Sequence, residues 1–367
     1  MKKIIHLLLL FPLIIFFQQP LLAQTDAMFI DANGRVHHLP QKYKVREQNA
    51  PPEVKTLLAN QRQLVKAQKL QFNVGFTGVS NKTLAIITGE KEVPTNEMNR
   101  IKEYVLTRKL TPAAIDINKI KLAGCFASSK TYDARNQGYV TPVRDQQCGN
   151  CWAYSAIGAY EGSYKKVNKT FINASEQHAV NCVDGDCGGG FAYKVMEWMV
   201  NQNKNINSEA VVPDAGVDQP CPGGSPTTNY YATDWGVVHP SGDINKIASV
   251  ADIKAAMCQY GPIAASVQVT SLFQNYTDGV FNETPSNYNS PSSNHAVVLV
   301  GWDDNKGAWL MKNSWGTNWG EDGYMWIKYN TNNIGRRAAW IIAKKAPLVV
   351  KPIKDLKATD KPTIIRQ

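Results

Sequence analysis

"DQQCGNCWAYSA", residues 145–156, decides how this chain is read. Cys148 and Cys151 stand three apart, with Trp152 directly after the second. Such a pair can bind zinc, cycle as a redox dithiol, or divide into one structural thiol and one nucleophile. Zinc needs a second close pair, which Cys182 and Cys187 could supply. A thioredoxin-like dithiol follows a strand in a βαβ pattern, and none surrounds residue 148.

The compartment narrows the choice. Lys2 and Lys3 precede an apolar run from Ile4 to Phe17, and Leu21-Leu22-Ala23 places a small residue before Gln24. Residues 1–23 therefore read as a secretory signal peptide, too short and too early for a membrane span. No second apolar stretch approaches spanning length, so no stable membrane anchor is expected. Export places the protein outside the cell or in the periplasm, or in a lysosome if the cell is eukaryotic. Those compartments favour disulfides over zinc. Seven cysteines, an odd number, leave one free thiol.

At 367 residues, 43% hydrophobic and 19% charged, the chain is globular, with material for two or three units. The net charge of +10 is unevenly spread. Residues 24–126 carry 16 basic and 9 acidic side chains, residues 127–343 carry 15 and 19, and residues 344–367 carry 7 and 2. No basic run is interleaved with aromatics, so nucleic acid is not an expected partner. A basic segment ahead of an acidic body suits an intramolecular partnership.

"EVKTLLANQRQLVKAQKLQF" spaces Val54, Leu57, Leu58, Leu64 and Val65 as on a helix, and "TNEMNRIKEYVLTRKL" opens at a capping Thr95 or Asn96. Helices are also expected from Cys151 and after Gly190. Beyond about residue 205 come β-rich runs at 263–269, 295–302, 308–312, 324–329 and 338–343. Helices first and strands later indicate an α+β body with two lobes.

A nucleophilic thiol needs a device that lowers its pKa. A helix start at Cys151 supplies the positive end of the macrodipole, and an imidazole must complete the ion pair. The body offers His178, His239 and His295. His178 falls within the helical stretch "SEQHAVNC", and His239 sits in a turn. His295 opens an apolar strand that would hold it rigidly, and eighteen residues later Asn313 can orient the ring.

"CGNCWAYSA", "NHAVVLVGW" and "KNSWGTNWGEDGYMWI", in that order, resemble the papain family of cysteine peptidases over roughly residues 127–343. The resemblance implies a two-lobed α+β fold, with a helical left lobe, an antiparallel β-barrel-like right lobe and the active-site cleft between them. It implies Cys151 as nucleophile, His295 as general base and then acid, Asn313 orienting His295, and Trp315 shielding their hydrogen bond. A glutamine would share the oxyanion with the backbone N–H of Cys151. The family usually places two residues between that glutamine and the first cysteine; here one residue separates Gln146 from Cys148, and Gln147 is adjacent to it. The "VRDQ" context favours Gln146; a shift of the role to Gln147 is the alternative. Asn294 stands where many members carry Asp, and Tyr154 where Phe is common.

The same resemblance implies Cys148–Cys187 and Cys182–Cys221 bridges and a Gly189-Gly190 wall that pairs with substrate as an added strand. Phe191, Ala192 and Ser266 fall where the main specificity pocket would be, suggesting a medium apolar side chain, and Trp319 where the leaving-group side would be. Cys125 and Cys258 remain. In papain-like folds the start of the mature chain crosses onto the right lobe, which would bring these two together. The rival is a resting Cys125–Cys151 mixed disulfide.

The expected organisation is a signal peptide (1–23), an inhibitory propeptide (24–124), a peptidase domain (125–343) and a basic, disordered tail (344–367). "FNVGFTGVSNKTLAIITG" resembles the short pro-segments of cathepsin-B-like members. The body shows no occluding loop with paired histidines, favouring an endopeptidase. The expected partners are polypeptide substrates and the chain's own propeptide, in a monomer with no metal or cofactor. An acyltransferase built on the same constellation and a catalytically dead binding scaffold are the rival functions.

Overall fold

The computed structural model describes residues 28–31, 34–109, 124–285 and 292–347. The expected signal peptide, residues 110–123 at the end of the expected propeptide and nearly all of the basic tail lie outside them. The elements in chain order are β1 (Met28–Ile30), β2 (Val36–His38), α1 (Gln41–Gln48), α2 (Pro52–Ala67), β3 (Gln71–Val74), α3 (Leu84–Ile87) and α4 (Thr95–Lys109). Then come β4 (Thr131–Asp133), α5 (Cys151–Asn168), α6 (Glu176–Cys182), α7 (Ala192–Asn201), β5 (Ala232–Val237), α8 (Val250–Tyr260), β6 (Ile263–Val267) and α9 (Ser271–Gln274). The chain closes with β7 (Tyr276–Phe281), β8 (His295–Asp303), β9 (Ala308–Lys312), β10 (Tyr324–Lys328) and β11 (Arg336–Ala343).

The fold is mixed α+β. Its large sheet runs β3-β7-β10-β9-β8-β6-β11-β5, with β4 added beside β8. Every pairing is antiparallel except β10 with β7. The order is an open path, so the barrel-like lobe expected from the sequence does not close among the described strands. Its β7 edge is taken up instead by β3, from the N-terminal segment. Strands β6 and β9 are buried at every position, and β8 at all but its last. They therefore read as continuous apolar runs rather than as alternation.

Helix α5 is the hinge of the packing, buried along most of its length. Glycines let it approach the sheet closely. A Cβ on Gly158 would lie 2.9 Å from Val298 Cγ2, and one on Gly162 would lie 2.6 Å from Pro262. The Ser155 hydroxyl donates to the Val297 carbonyl at 2.6 Å, tying the first turns of α5 to β8. Three disulfides brace the body: Cys125–Cys258, Cys148–Cys187 and Cys182–Cys221, the same pairs as expected from the sequence. The first closes a 133-residue separation and so removes the most entropy from the unfolded chain, up to about 5 kcal/mol.

The N-terminal segment is packed into the body's cores rather than laid over them. Helix α2 buries Val54, Leu58, Gln61 and Val65, one face at helical spacing, and Phe72 and Ile87 join the same core. Gln61 holds a polar position in that stripe by donating to Ser271 Oγ at 2.5 Å and accepting from Asn275 Nδ2 at 2.9 Å. Further along, Val93, Ile101 and Val105 enter the second core with Trp152 and Tyr193. One segment thus straddles both lobes. Leu58→Ala should cost about 3 kcal/mol by cavity formation, whereas Leu57→Ala, at a position 40% exposed, should cost under about 0.5 kcal/mol. Hydrogen exchange across α2 in the full chain reads both.

Candidate active site

Two element starts and one element end meet between the lobes. Cys151 is the first residue of α5, His295 the first of β8, and Asn313 follows the last residue of β9. The Ala296 N–H donates to Cys151 Sγ at 3.4 Å. His295 Nε2 lies 2.8 Å from Asn313 Oδ1, an atom that also accepts the Ser314 N–H at 2.8 Å. An oxygen facing Nε2 makes that nitrogen the donor, which leaves Nδ1 bare. Nδ1 is buried and has no hydrogen-bond partner among the described residues. The Trp315 ring covers the imidazole, with centroids 4.8 Å apart.

The centre is sealed: Cys151 and His295 are both 0% exposed. Burial pushes the Cys151 thiol well up against the pull of the Ala296 N–H, and the Glu90 carboxyl adds to the rise. Burial also lowers His295 to about 4, against the supporting bond to Asn313. In the covered state thiol and imidazole are therefore both neutral above about pH 4.

The seal is made by residues 86–92. The Ile86 carbonyl accepts from Gln146 Nε2 at 3.4 Å, and the Ile87 carbonyl from Trp315 Nε1 at 2.8 Å. Gly89 and Glu90 both donate their N–H to the Asn294 carbonyl at 3.0 Å. Gly190 then donates to the Gly89 carbonyl at 2.8 Å and accepts from Lys91 N at 3.2 Å, forming a parallel bridge of Glu90 with Gly190. Only glycine fits at residue 89, because a Cβ there would lie 1.8 Å from the Gly149 carbonyl oxygen. Gly189 and Gly190 are equally constrained: Cβ atoms on them would lie 2.5 Å from the Gly89 carbonyl oxygen and 2.6 Å from the Trp152 ring.

Gln146 is buried, with its Oε1 accepting from Ser314 Oγ at 2.6 Å and its Nε2 on the Cys148 carbonyl at 2.7 Å. Gln147 is exposed and bonds to the Asp145 carbonyl. Of the two, only Gln146 reaches the cleft. The Tyr154 hydroxyl is satisfied by Asp214 at 3.0 Å. Trp319 is fully buried beside Trp315 and Phe273. Phe191 caps α7 with its ring tilted against Tyr193, centroids 5.5 Å apart, and Ala192 is buried in the second core.

Ser266 is fully buried on β6, in register with Arg336 of β11, where a carboxylate from residues 86–92 comes in. Glu90 pairs with Arg337 at 3.2 Å, both ionic side chains being 2–3% exposed. Sequence reasoning missed Arg337, whose one signal was a pair of arginines opening a strand otherwise buried and apolar. His178 lies with the Cys182 and Cys221 sulfurs. Those sulfurs are bonded to each other, and His178 Nδ1 accepts the Asn207 N–H at 2.9 Å, so this cluster offers no metal-binding set.

Fold and centre together define a two-lobed thiol–imidazole–amide scaffold with a segment of its own chain lying in the cleft. Residues 128–343 match the model of the papain family cysteine proteases, and the chain belongs to that family. It is 37% identical over 207 residues to cathepsin K of Mus musculus, covering 55% of this chain and 60% of that protein. To cathepsin L of Sarcophaga peregrina it is 35% identical over 214 residues, covering 56% and 60%. The chain thus spans about 60% of the length of these relatives. Among solved structures, the digestive procathepsin L2 proteinase of the Tenebrio molitor larval midgut superposes with TM-score 0.61 at 23% identity, covering 83% of this chain and 95% of that one. A recombinant stem bromelain precursor gives 0.59 at 24%, covering 84% and 94%. These two likenesses carry the fold alone.

Gly89→Ala cannot keep the 86–92 segment seated. In the full chain at pH 7, iodoacetamide should label Cys151 at least ~100-fold faster in this variant than in the parent, since about 3 kcal/mol of displaced contact is a factor of that size. Equal labelling rates would show that the strand does not guard the thiol.

Proposed function

We propose that the chain is an exported cysteine endopeptidase made as a zymogen, with residues 24–124 as its inhibitory propeptide and 125–343 as its catalytic domain. The observation that carries this reading is the bare His295 Nδ1, fixed by the Nε2–Asn313 bond, in the same sealed centre as the Cys151 thiol at the α5 start.

Once the strand leaves, water and substrate replace the apolar cover. The burial that holds the thiol up and the imidazole down is relieved, and a thiolate–imidazolium pair can form under the α5 dipole. Cys151 Sγ attacks the peptide carbonyl while His295 holds the proton. The oxyanion takes donors from the Cys151 backbone N–H and Gln146 Nε2, and His295 passes its proton to the leaving amine as the thioester forms. Water then attacks the thioester with His295 as base.

Direction explains why the propeptide survives in the cleft. It runs from the Gln146/Trp315 side at residues 86–87 to the Gly190 side at 89–91. A substrate with its acyl half along Gly189-Gly190 and its leaving group toward Trp315 and Trp319 runs the other way, pairing antiparallel with Gly190.

The charge pattern of docking is mixed, not simply basic on acidic. Lys42–Asp322, Lys91–Asp186, Arg100–Glu197 and Arg108–Asp234 pair propeptide cations with body anions. Around the cleft the signs reverse, with Glu97 on Lys194 and Glu92 on Arg336 and Arg337. Hydrogen bonds from Arg100, then Lys194, hold Glu97 down to about 2. Arg100 lies on the same helix and leaves with Glu97, so only the Lys194 part of this support belongs to docking; it is present above about pH 4.5 and is lost as pH falls towards 2. Glu90 opposes this: burial raises its carboxyl more than Arg337 lowers it, so its protonation favours the bound strand.

Three measurements follow. Cys151→Ala should abolish peptide hydrolysis with the fold intact. Gln146→Ala should slow the chemical step about a hundredfold and Gln147→Ala should be neutral; the reverse ranking would move the oxyanion donor. Propeptide inhibition should weaken as pH falls below 4.5, and Glu97→Gln should flatten that dependence; unchanged pH dependence in the variant would remove Glu97 from the release mechanism.

A further inference from the structure

Arg337 is a buried cation whose carboxylate partners among the described residues, Glu90 and Glu92, both belong to the propeptide. Its remaining side-chain contacts are neutral: Asn245 Oδ1 at 3.4 Å and Ser293 Oγ at 3.2 Å. The guanidinium sits on β11, whose Arg336 pairs in register with Ser266 of β6, so it lies at the wall of the pocket that Glu90 enters. Glu90 is the residue bridged to Gly190, and its neighbour Gly89 lies against Gly149, two residues before Cys151.

When residues 86–92 depart, both carboxylates depart with them. A guanidinium that was 3% exposed and doubly paired is left with two neutral acceptors at the side of an open subsite. An apolar side chain entering there desolvates the cation and returns nothing, whereas a glutamate places its carboxyl back against Arg337, as Glu90 does, offsetting part of the burial that raises that carboxyl. Sites built around a buried polar group reject side chains that cannot pair with it far more sharply than apolar pockets reject a wrong shape.

We propose that Arg337 makes the subsite opposite Gly190 select an acidic side chain, so that the mature enzyme cuts polypeptides carrying glutamate one residue upstream of the residue whose carbonyl Cys151 attacks. This deepens the peptidase reading and rests on it. The reversed direction of the propeptide does not alter the assignment. Glu90, opposite Gly190, donates its N–H to the Asn294 carbonyl and places its carboxyl on Arg337, and a substrate residue taking its place would meet the same wall. The pocket residues Phe191 and Ala192 then contact the methylene groups of that glutamate rather than an apolar side chain.

The test uses enzyme processed by added pepsin from the folded full chain, with a peptide library varied at that one position. Glutamate should exceed glutamine and leucine by roughly tenfold or more in kcat/KM, with the preference falling as salt rises. Arg337→Gln should erase it, leaving kcat/KM for the glutamate peptides no higher than for the glutamine peptides. Should the variant fold poorly, the wild-type profile alone decides: leucine or phenylalanine equal to or better than glutamate overturns the proposal and leaves the peptidase intact. A parallel measurement titrates the same peptides onto wild-type enzyme alkylated at Cys151. Glutamate-selective binding without turnover by the unalkylated enzyme would overturn the peptidase reading and keep the acidic subsite.

Discussion

The contact between the start of α5 and the start of β8 is the constraint on which the site depends. Ser155 bonded to Val297, Gly158 seated against Val298 and Ala296 N–H aimed at Cys151 Sγ fix a helix end against a strand end. Each element is rigid through its own backbone bonds, so a few contacts at the seam suffice to place a thiol and an imidazole from opposite lobes. The Cys148–Cys187 bridge holds the loop before α5, and Asn313 at the end of β9 holds the ring from behind.

The covering segment uses the same seam. It reaches Gln146, Trp315, Asn294 and Gly190 through backbone groups, so its grip on the cleft depends little on side-chain identity. Specificity comes from the flanks. Gln61 and the α2 stripe anchor one side in the sheet's core, and Ile101 and Val105 anchor the other beside Trp152. Two anchors joined by an extended strand hold both lobes at once. Losing either anchor would lower the effective concentration of the strand at the cleft rather than abolish its contacts.

Much of this was legible in the sequence, for identifiable reasons. "HAVVLVGW" and "AWLMK" announce buried strands because both faces of β8 and β9 are covered. "CWAYSAIGAYEGSYKKV" announces α5 because its neighbours enclose it on nearly every side. Strand β7 was missed because Asp278 and Gly279 interrupt its apolar pattern; there Asn73 meets Asp278, and Gly279 lies against Gln71 and Phe29. Gln61 was missed as a core residue because its partners, Ser271 and Asn275, lie some two hundred residues away. Arg337 escaped for the same reason, since a buried cation is intelligible only beside the carboxylate that neutralises it.

The account stands on Cys151 forming a covalent bond to the acyl half of a substrate. Acid quenching of processed enzyme within milliseconds of mixing with a reactive peptide ester, followed by mass mapping, tests that directly. The account predicts an added mass equal to the acyl group on the peptide containing Cys151, absent when His295 is replaced by alanine. Full hydrolysis with no acylated Cys151 at any time, or the acyl group on another residue, would contradict it.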